Sequence, residues 1–195
     1  MNVLYLSQRF GLESSGIFAD LVRALHFEGH LVTVVTCEPE GSHKFSSEVI
    51  SVDGIKIVSV KSPGLFSYSK FEKGIAQLLL PRRMIRAIKQ HLSGSHFDLI
   101  LYPTPPITLA SVVGFCKKEF KARSFLMLKD IFPQNAVDLG LMRFNGLAHS
   151  YFKAVEKDLY TVSDKIGCMT AANTSYLEKN YRYLSKSKMT YFPNT

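Results

Sequence analysis

The 195-residue sequence contains no tryptophan, and cysteine occurs only three times, at positions 37, 116 and 168. An odd, widely spaced set beside apolar runs makes neither a disulfide framework nor a zinc pattern, and predicts reduced, buried thiols. No stretch approaches the roughly 20 apolar residues that span a bilayer. There is no internal repeat and no low-complexity linker. The opening Met1–Ser7 is apolar, then meets Gln8 and Arg9. It lacks the basic n-region and small-residue cleavage site of a signal peptide and reads as a first strand. Acidic residues are scarce: 16 Asp and Glu face 24 Lys and Arg, a net charge of +8. That surplus suits a phosphate-bearing partner or an anionic membrane surface. Hydrophobic residues at 46% and charged residues at 21% exclude a disordered tail and fit one globular domain.

What is present alternates. Asn2–Ser7 is a buried-type strand, and Ile17, Leu21, Val22, Leu25 and Phe27 follow at helical spacing, with Gly29 placed to end the helix. Leu31–Thr36 is a β-branched strand. Val49–Val52 and Ile55–Val60 flank Asp53-Gly54, a hairpin signal. A helical region over about 71–92 is interrupted by Pro81. Strands then fall at 97–102, 124–128, 165–170 and 189–192, with helices ending near 120, spanning about 146–160, and near 174–181. Such alternation with continuous apolar strands predicts an α/β, Rossmann-like three-layer domain with a mainly parallel sheet. Ligands of such sheets bind beyond the carboxyl ends of the strands. The loops after the first, fourth and fifth strands predicted to lie in the parallel sheet therefore carry the search.

The first of these, Gly11-Leu12-Glu13-Ser14-Ser15-Gly16, has the glycine spacing of a P-loop, but Ile17 and Phe18 stand where Lys and Ser or Thr are required. No Gly-x-Gly-x-x-Gly fingerprint occurs, which argues against a dinucleotide cofactor. Ser14, Ser15 and Gly16 still bring hydroxyls and backbone N–H groups to a helix N-terminus, an anion site or an ordinary cap. The second loop is the turn Pro103-Thr104-Pro105-Pro106. The third carries Lys129 and Asp130 out of a buried strand, with Pro133 stiffening the exit. A carboxylate there can accept a hydrogen bond from a substrate hydroxyl and orient it for attack.

Between Lys61 and His96, seven basic residues face one acid, Glu72, for a net +6. After Pro81, Met84, Ile85, Ile88 and Leu92 form one stripe, with Arg82, Arg83, Arg86 and Lys89 mostly off it. Phe66, Tyr68, Phe71 and Leu78–Leu80 supply bulk upstream. This composition fits a segment lying in a lipid interface, or a crossover helix whose solvated face is basic. No nucleic-acid motif accompanies the charge. His26 and His30 lack a third ligand, so no metal site is expected.

Five segments, in order, give the chain a resemblance. Gly16–Leu25 leading to Glu28–Thr36 resembles the opening helix, Gly-His turn and second strand of GT-B glycosyltransferases of family 4, the group of bacterial capsule and O-antigen enzymes. Thr104-Pro105-Pro106 resembles that family's Ser-Pro-Pro turn. Lys129–Pro133, continuing to Gly140, resembles its Arg-Asp-Leu-Trp-Pro segment, with Lys129 and Phe132 replacing the commoner Arg and Trp. Ala154–Tyr160 through Ser163–Ile166 and Thr170 resembles the helix and strand before the hinge. Phe192-Pro193-Asn194-Thr195 resembles the Pro-Asn-Gly passage into a second domain.

The resemblance implies one half of a GT-B fold: an acceptor-side domain over 1–192 and the start of a hinge at 193–195, with the nucleotide-sugar domain outside the sequence. It implies a retaining transferase that moves a sugar from a nucleotide-diphosphate donor to a lipid-linked saccharide acceptor in cell-surface polysaccharide synthesis, without a cofactor. By position, Ser14, Ser15 and Gly16 would border the donor diphosphate, Thr104 and Lys129 would meet substrate, and Asp130 would act in the acceptor region. Arg82, Arg83, Arg86 and Lys89 would dock on anionic lipid, making the protein cytoplasmic and peripheral on the inner face of the plasma membrane. The 195 residues alone are expected not to turn over. The competing expectation is a non-catalytic basic α/β module that binds a membrane surface or a protein partner.

Overall fold

The computed structural model describes residues 1–12, 16–38 and 47–193. Eight strands form one sheet: β1 (Asn2–Leu6), β2 (Leu31–Glu38), β3 (Ser47–Val52), β4 (Ile55–Lys61), β5 (Leu99–Pro103), β6 (Arg123–Leu128), β7 (Lys165–Cys168) and β8 (Met189–Tyr191). Among the described residues six α-helices accompany them: α1 (Ile17–Phe27), α2 (Lys70–His91), α3 (Ala110–Phe120), α4 (Gln134–Asp138), α5 (Leu147–Val162) and α6 (Ala171–Asn180). The spatial order is β3-β4-β2-β1-β5-β6-β7-β8, and every pairing is parallel except β3 with β4. That exception is the predicted hairpin. Asp53 (φ 51°) and Gly54 (φ 80°) both sit in the left-handed region its tight turn requires.

Alternation along each strand divides the core in two. Leu4, Leu6, Val35, Ile100, Tyr102, Leu126 and Leu128 face the layer of α2, α3, α5 and α6. Val3, Tyr5, Val32, Val34, Leu101 and Met127 face the α1 side, where Val22 is fully buried. Central strands are therefore apolar on both faces, as the continuous hydrophobic runs required.

Pro81 does not interrupt the second helix. α2 runs unbroken from Lys70 to His91 with Pro81 inside it. A proline there removes one backbone hydrogen bond and costs about 3 kcal/mol. Burial on both sides of it offsets that cost, because Ala76, Leu80, Met84, Ala87 and Ile88 are all at most 2% exposed. Propensity yields to packing. Three short elements carry too little periodicity to be foreseen, the 3-10 turns Ile107–Leu109 and Lys186–Lys188 and the helix α4. The three cysteines are free and buried.

Candidate functional site: the cleft at the carboxyl edge of the sheet

Strand order reverses between β1 and β5, since β2 lies on one side of β1 and β5 on the other. Such a switch point opens a crevice at the carboxyl edge. Here it is a pocket of about 260 Å³ lined by Phe10, Gly11, Gly16, Ile17, Phe18, Ala19, Lys129 and Met169. The chain leaves β1 through a fixed exit, because the Ser7 hydroxyl donates to the Arg9 carbonyl at 2.8 Å. Phe10 then turns back onto the Tyr5 ring, centroids 5.4 Å apart, and helps form the pocket wall.

The opposite wall is the N-terminus of α1. Gly16 is its N-cap residue, extended at φ −170° and ψ 144°, and as a glycine it has no side chain with which to cap. The N–H groups of a helix's first turn lack intrahelical partners and carry the positive end of its dipole. Ile17, Phe18 and Ala19 place that first turn on the pocket. A Cβ added at Gly16 would meet nothing within 4 Å, so the glycine leaves open space on the pocket side and is not forced by φ.

Lys129 supplies the cation. It is exposed, directly beyond the end of β6, and its backbone N–H donates to the Thr104 Oγ1 at 3.1 Å. Thr104, 1% exposed, is itself held by donation of its N–H to the Met127 carbonyl at 3.1 Å. Thr104 thus reaches the site through Lys129 rather than lining it. The arrangement unites a cationic side chain with a helix N-terminus, which together favour an anion such as a phosphate group.

Of the residues singled out in the sequence, the structure brings Gly16 and Lys129 into one pocket. Asp130, half-buried, follows Lys129 but is not part of that lining. Ser14 and Ser15 lie outside the described residues, as do Asn194 and Thr195. Phe10 and Met169 were missed. Each comes just after a parallel strand, and applying the carboxyl-edge rule to β7 as well would have found Met169.

The basic candidates lie on α2, in the layer opposite α1. Arg82 and Arg86 are exposed. Lys89 is exposed too, with its ammonium 5.2 Å from the Phe115 ring centroid. Arg83 departs from the group: its guanidinium donates to the Ser62 hydroxyl at 3.1 Å and the Pro63 carbonyl at 3.3 Å, which employs it within the chain. Among the described residues, no helix is long and apolar enough to cross a membrane.

A mainly parallel sheet covered by helices on both faces, with a crevice at its switch point, defines a Rossmann-like α/β domain. The sequence assigns it further. Residues 17–195 match the model of Glycosyltransferase Family 4, and the chain belongs to that family. No curated protein matches it by sequence. Solved structures share the fold. An alpha,alpha-trehalose-phosphate synthase (UDP-forming) from Burkholderia vietnamiensis superposes with a TM-score of 0.65 at 12% identity, over 98% of this chain and 47% of that one. The E. coli structure described as "Trehalose-6-phosphate … bound with UDP-2-fluoro glucose" gives 0.62 at 15%, over 91% and 43%. The calicheamicin glycosyltransferase gives 0.57 at 13%, over 100% and 53%. The chain spans about half the length of these structures, and at such identities the likeness concerns the fold alone.

Proposed function

We propose that this chain is the acceptor-side half of a retaining glycosyltransferase, which moves a sugar from a nucleotide-diphosphate donor to a lipid-linked saccharide during capsule-type polysaccharide synthesis. One observation carries the reading: the N-terminus of α1 and Lys129 line one pocket at the switch point of the sheet. Family membership and neighbours whose names include UDP and UDP-2-fluoro glucose support a phosphorylated donor.

In this reading the first-turn N–H groups of α1 and the Lys129 ammonium face the diphosphate. Sugar transfer breaks the bond between the anomeric carbon and the diphosphate oxygen, so negative charge grows on the leaving group. Donors already aimed at that oxygen lower the barrier without reorganising. Asp130, at the rim, accepts a hydrogen bond from the acceptor hydroxyl and orients it. At about 260 Å³ the pocket is smaller than the roughly 300–1,000 Å³ of complete small-ligand sites, which fits one wall of a cleft that a second domain closes. The basic face of α2 would hold the protein at the inner face of the plasma membrane, where a lipid-linked acceptor resides.

Calorimetric titration of UDP and of inorganic diphosphate into the 195-residue chain tests the pocket. Both should bind weakly, and Lys129→Ala should weaken both about tenfold, the effect of one charge-assisted contact. Equal binding by wild type and variant would remove the site. Sugar transfer is then assayed with the chain extended through its downstream reading frame, a panel of nucleotide sugars and a lipid-linked acceptor. Turnover by the 195 residues alone would overturn the half-enzyme reading.

A further inference from the structure

We propose that the chain docks on an anionic bilayer by inserting the first half of α2, so that Phe71, Ile75 and Leu78 enter the acyl layer while Arg82 and Arg86 stay at the lipid phosphates. This rests on the membrane reading above and deepens it, since that reading requires only surface charge.

The α2 sequence places Phe71, Ile75, Leu78, Arg82, Arg86 and Lys89 at successive steps of four, three, four, four and three residues, one face of a helix. The opposite face, through Ala76, Leu80, Met84, Ala87 and Ile88, is spent on the core. The outward face is therefore apolar at its start and basic at its end. Phe71 is 77% exposed, Leu78 55% and Ile75 45%, and Tyr68 just before the helix is fully exposed. Large side chains in a row on the solvent side contribute nothing to the fold and mark a surface that something apolar covers.

Charge complementarity identifies the cover. The same stripe continues into Arg82, Arg86 and Lys89, on a chain of net charge +8. Glu72 stands beside the stripe, and the Ser67 hydroxyl donates to its carboxylate. A face that is apolar and then cationic over three turns matches the acyl-to-phosphate order of an anionic leaflet. Phe71 and Arg82 are 11 residues apart, about 16 Å along the axis at 1.5 Å per residue. Inclining α2 by about 30° sets Phe71 roughly 8 Å deeper than Arg82, within the roughly 5–10 Å that interfacial helices reach.

The surface continues past the helix. A groove of about 510 Å³ between α2 and α5 is lined by Leu78, Pro81, Arg82, Ile85, Tyr151 and Val155 among others, and joins the stripe to the exposed Tyr151. Asp158 of α5 is the single carboxylate in that lining, and it lies off the α2 stripe.

The absence of tryptophan makes the test direct. Phe71→Trp and, on the far end of α1, Phe27→Trp each place a sole tryptophan, excited selectively at the red edge beyond tyrosine absorption, at an exposed position. Each is mixed with phosphatidylcholine–phosphatidylglycerol vesicles carrying brominated acyl chains. Phe71→Trp should shift to the blue and be quenched, while Phe27→Trp should do neither. Leu78→Asp should lower vesicle partition roughly tenfold, and removing Arg82 and Arg86 should lower it about fivefold each and flatten its salt dependence. Binding without quenching at position 71 would overturn insertion and leave docking by charge intact. Quenching at position 27 would assign another face. No binding to any anionic vesicle would overturn insertion and the membrane reading together. A blue shift at position 71 that grows with protein concentration, without vesicles, would show a second copy covering the stripe and overturn the proposal.

Discussion

The Thr104 Oγ1 accepts the Lys129 backbone N–H at 3.1 Å, and this bond ties the end of β5 to the end of β6 at the mouth of the cleft. Both residues follow directly from their strands, so the bond sets where the Lys129 side chain starts. Thr104→Val keeps the shape and removes the acceptor. That N–H is only partly buried, so losing its acceptor costs about 0.5–1.5 kcal/mol, the net worth of an ordinary hydrogen bond. Urea unfolding should show a loss in that range, and Thr104→Ser should restore most of it. Diphosphate binding should weaken in Thr104→Val and recover in Thr104→Ser, which a purely structural threonine would not require.

Gly167 offers a sharper steric test. A Cβ there would lie 2.7 Å from the Phe125 ring and 2.9 Å from the Phe192 Cβ. The two rings pack edge to face at 5.5 Å across β7, so neither can withdraw without disturbing the other. Gly167→Ala should destabilise by about 1–3 kcal/mol, as overpacking does. Gly16→Ala, with no atom within 4 Å of the added Cβ, should cost about 0.5–1 kcal/mol, the preference for glycine over alanine at an N-cap and not a clash. Thermal unfolding of the two variants side by side checks the contrast.

These glycines show what the sequence could and could not reveal. Strand–helix alternation, the mainly parallel sheet and the hairpin follow from local signals: apolar runs, helical spacing and Asp53-Gly54. The carboxyl-edge rule needs only strand ends, and it pointed to Gly16 and Lys129, which the structure brings to one pocket. Pro81 misled, since a breaker's local cost says nothing of the five core residues that hold α2 together around it. Arg83 misled because a helical wheel cannot show that Ser62 and Pro63 lie within its reach. The close approach of Phe125 and Phe192 over Gly167 is equally non-local.

Glu156 is entirely buried on α5 and accepts hydrogen bonds from Tyr181 at 2.7 and 2.8 Å, Tyr160 at 3.0 Å and Lys153 at 2.8 Å. Sequence reading placed it only within a family segment. Its partners show it fastening α5 to the end of α6. Glu156→Leu takes the carboxylate acceptor from the Tyr160 and Tyr181 hydroxyls, while Lys153, 37% exposed, keeps Tyr181 and solvent, and it should cost about 1–3 kcal/mol, the penalty of an unpaired buried polar group. Glu156→Gln keeps an acceptor and should cost less. Denaturant titration ranks them.

The same tyrosines set the alkaline limit of stability. Burial first, and then the Glu156 charge, push the Tyr160 and Tyr181 hydroxyls far above the usual tyrosine value, and Tyr183 is raised to about 12 by the same two causes. A raised folded-state value means the folded chain keeps its protons longer than the unfolded one. Stability from these groups is complete below the unfolded value near 10 and falls as pH climbs above it. Burial likewise raises the Cys37 and Cys116 thiols to about 12. Native protein at pH 8 should therefore leave these thiols unreactive toward a disulfide reagent, and both should react once urea unfolds the chain. Above pH 10, tyrosinate absorbance from the buried rings should appear together with loss of helical circular dichroism. Ionisation of all nine tyrosines at pH 10 in a still-folded chain would contradict the burial that defines this core.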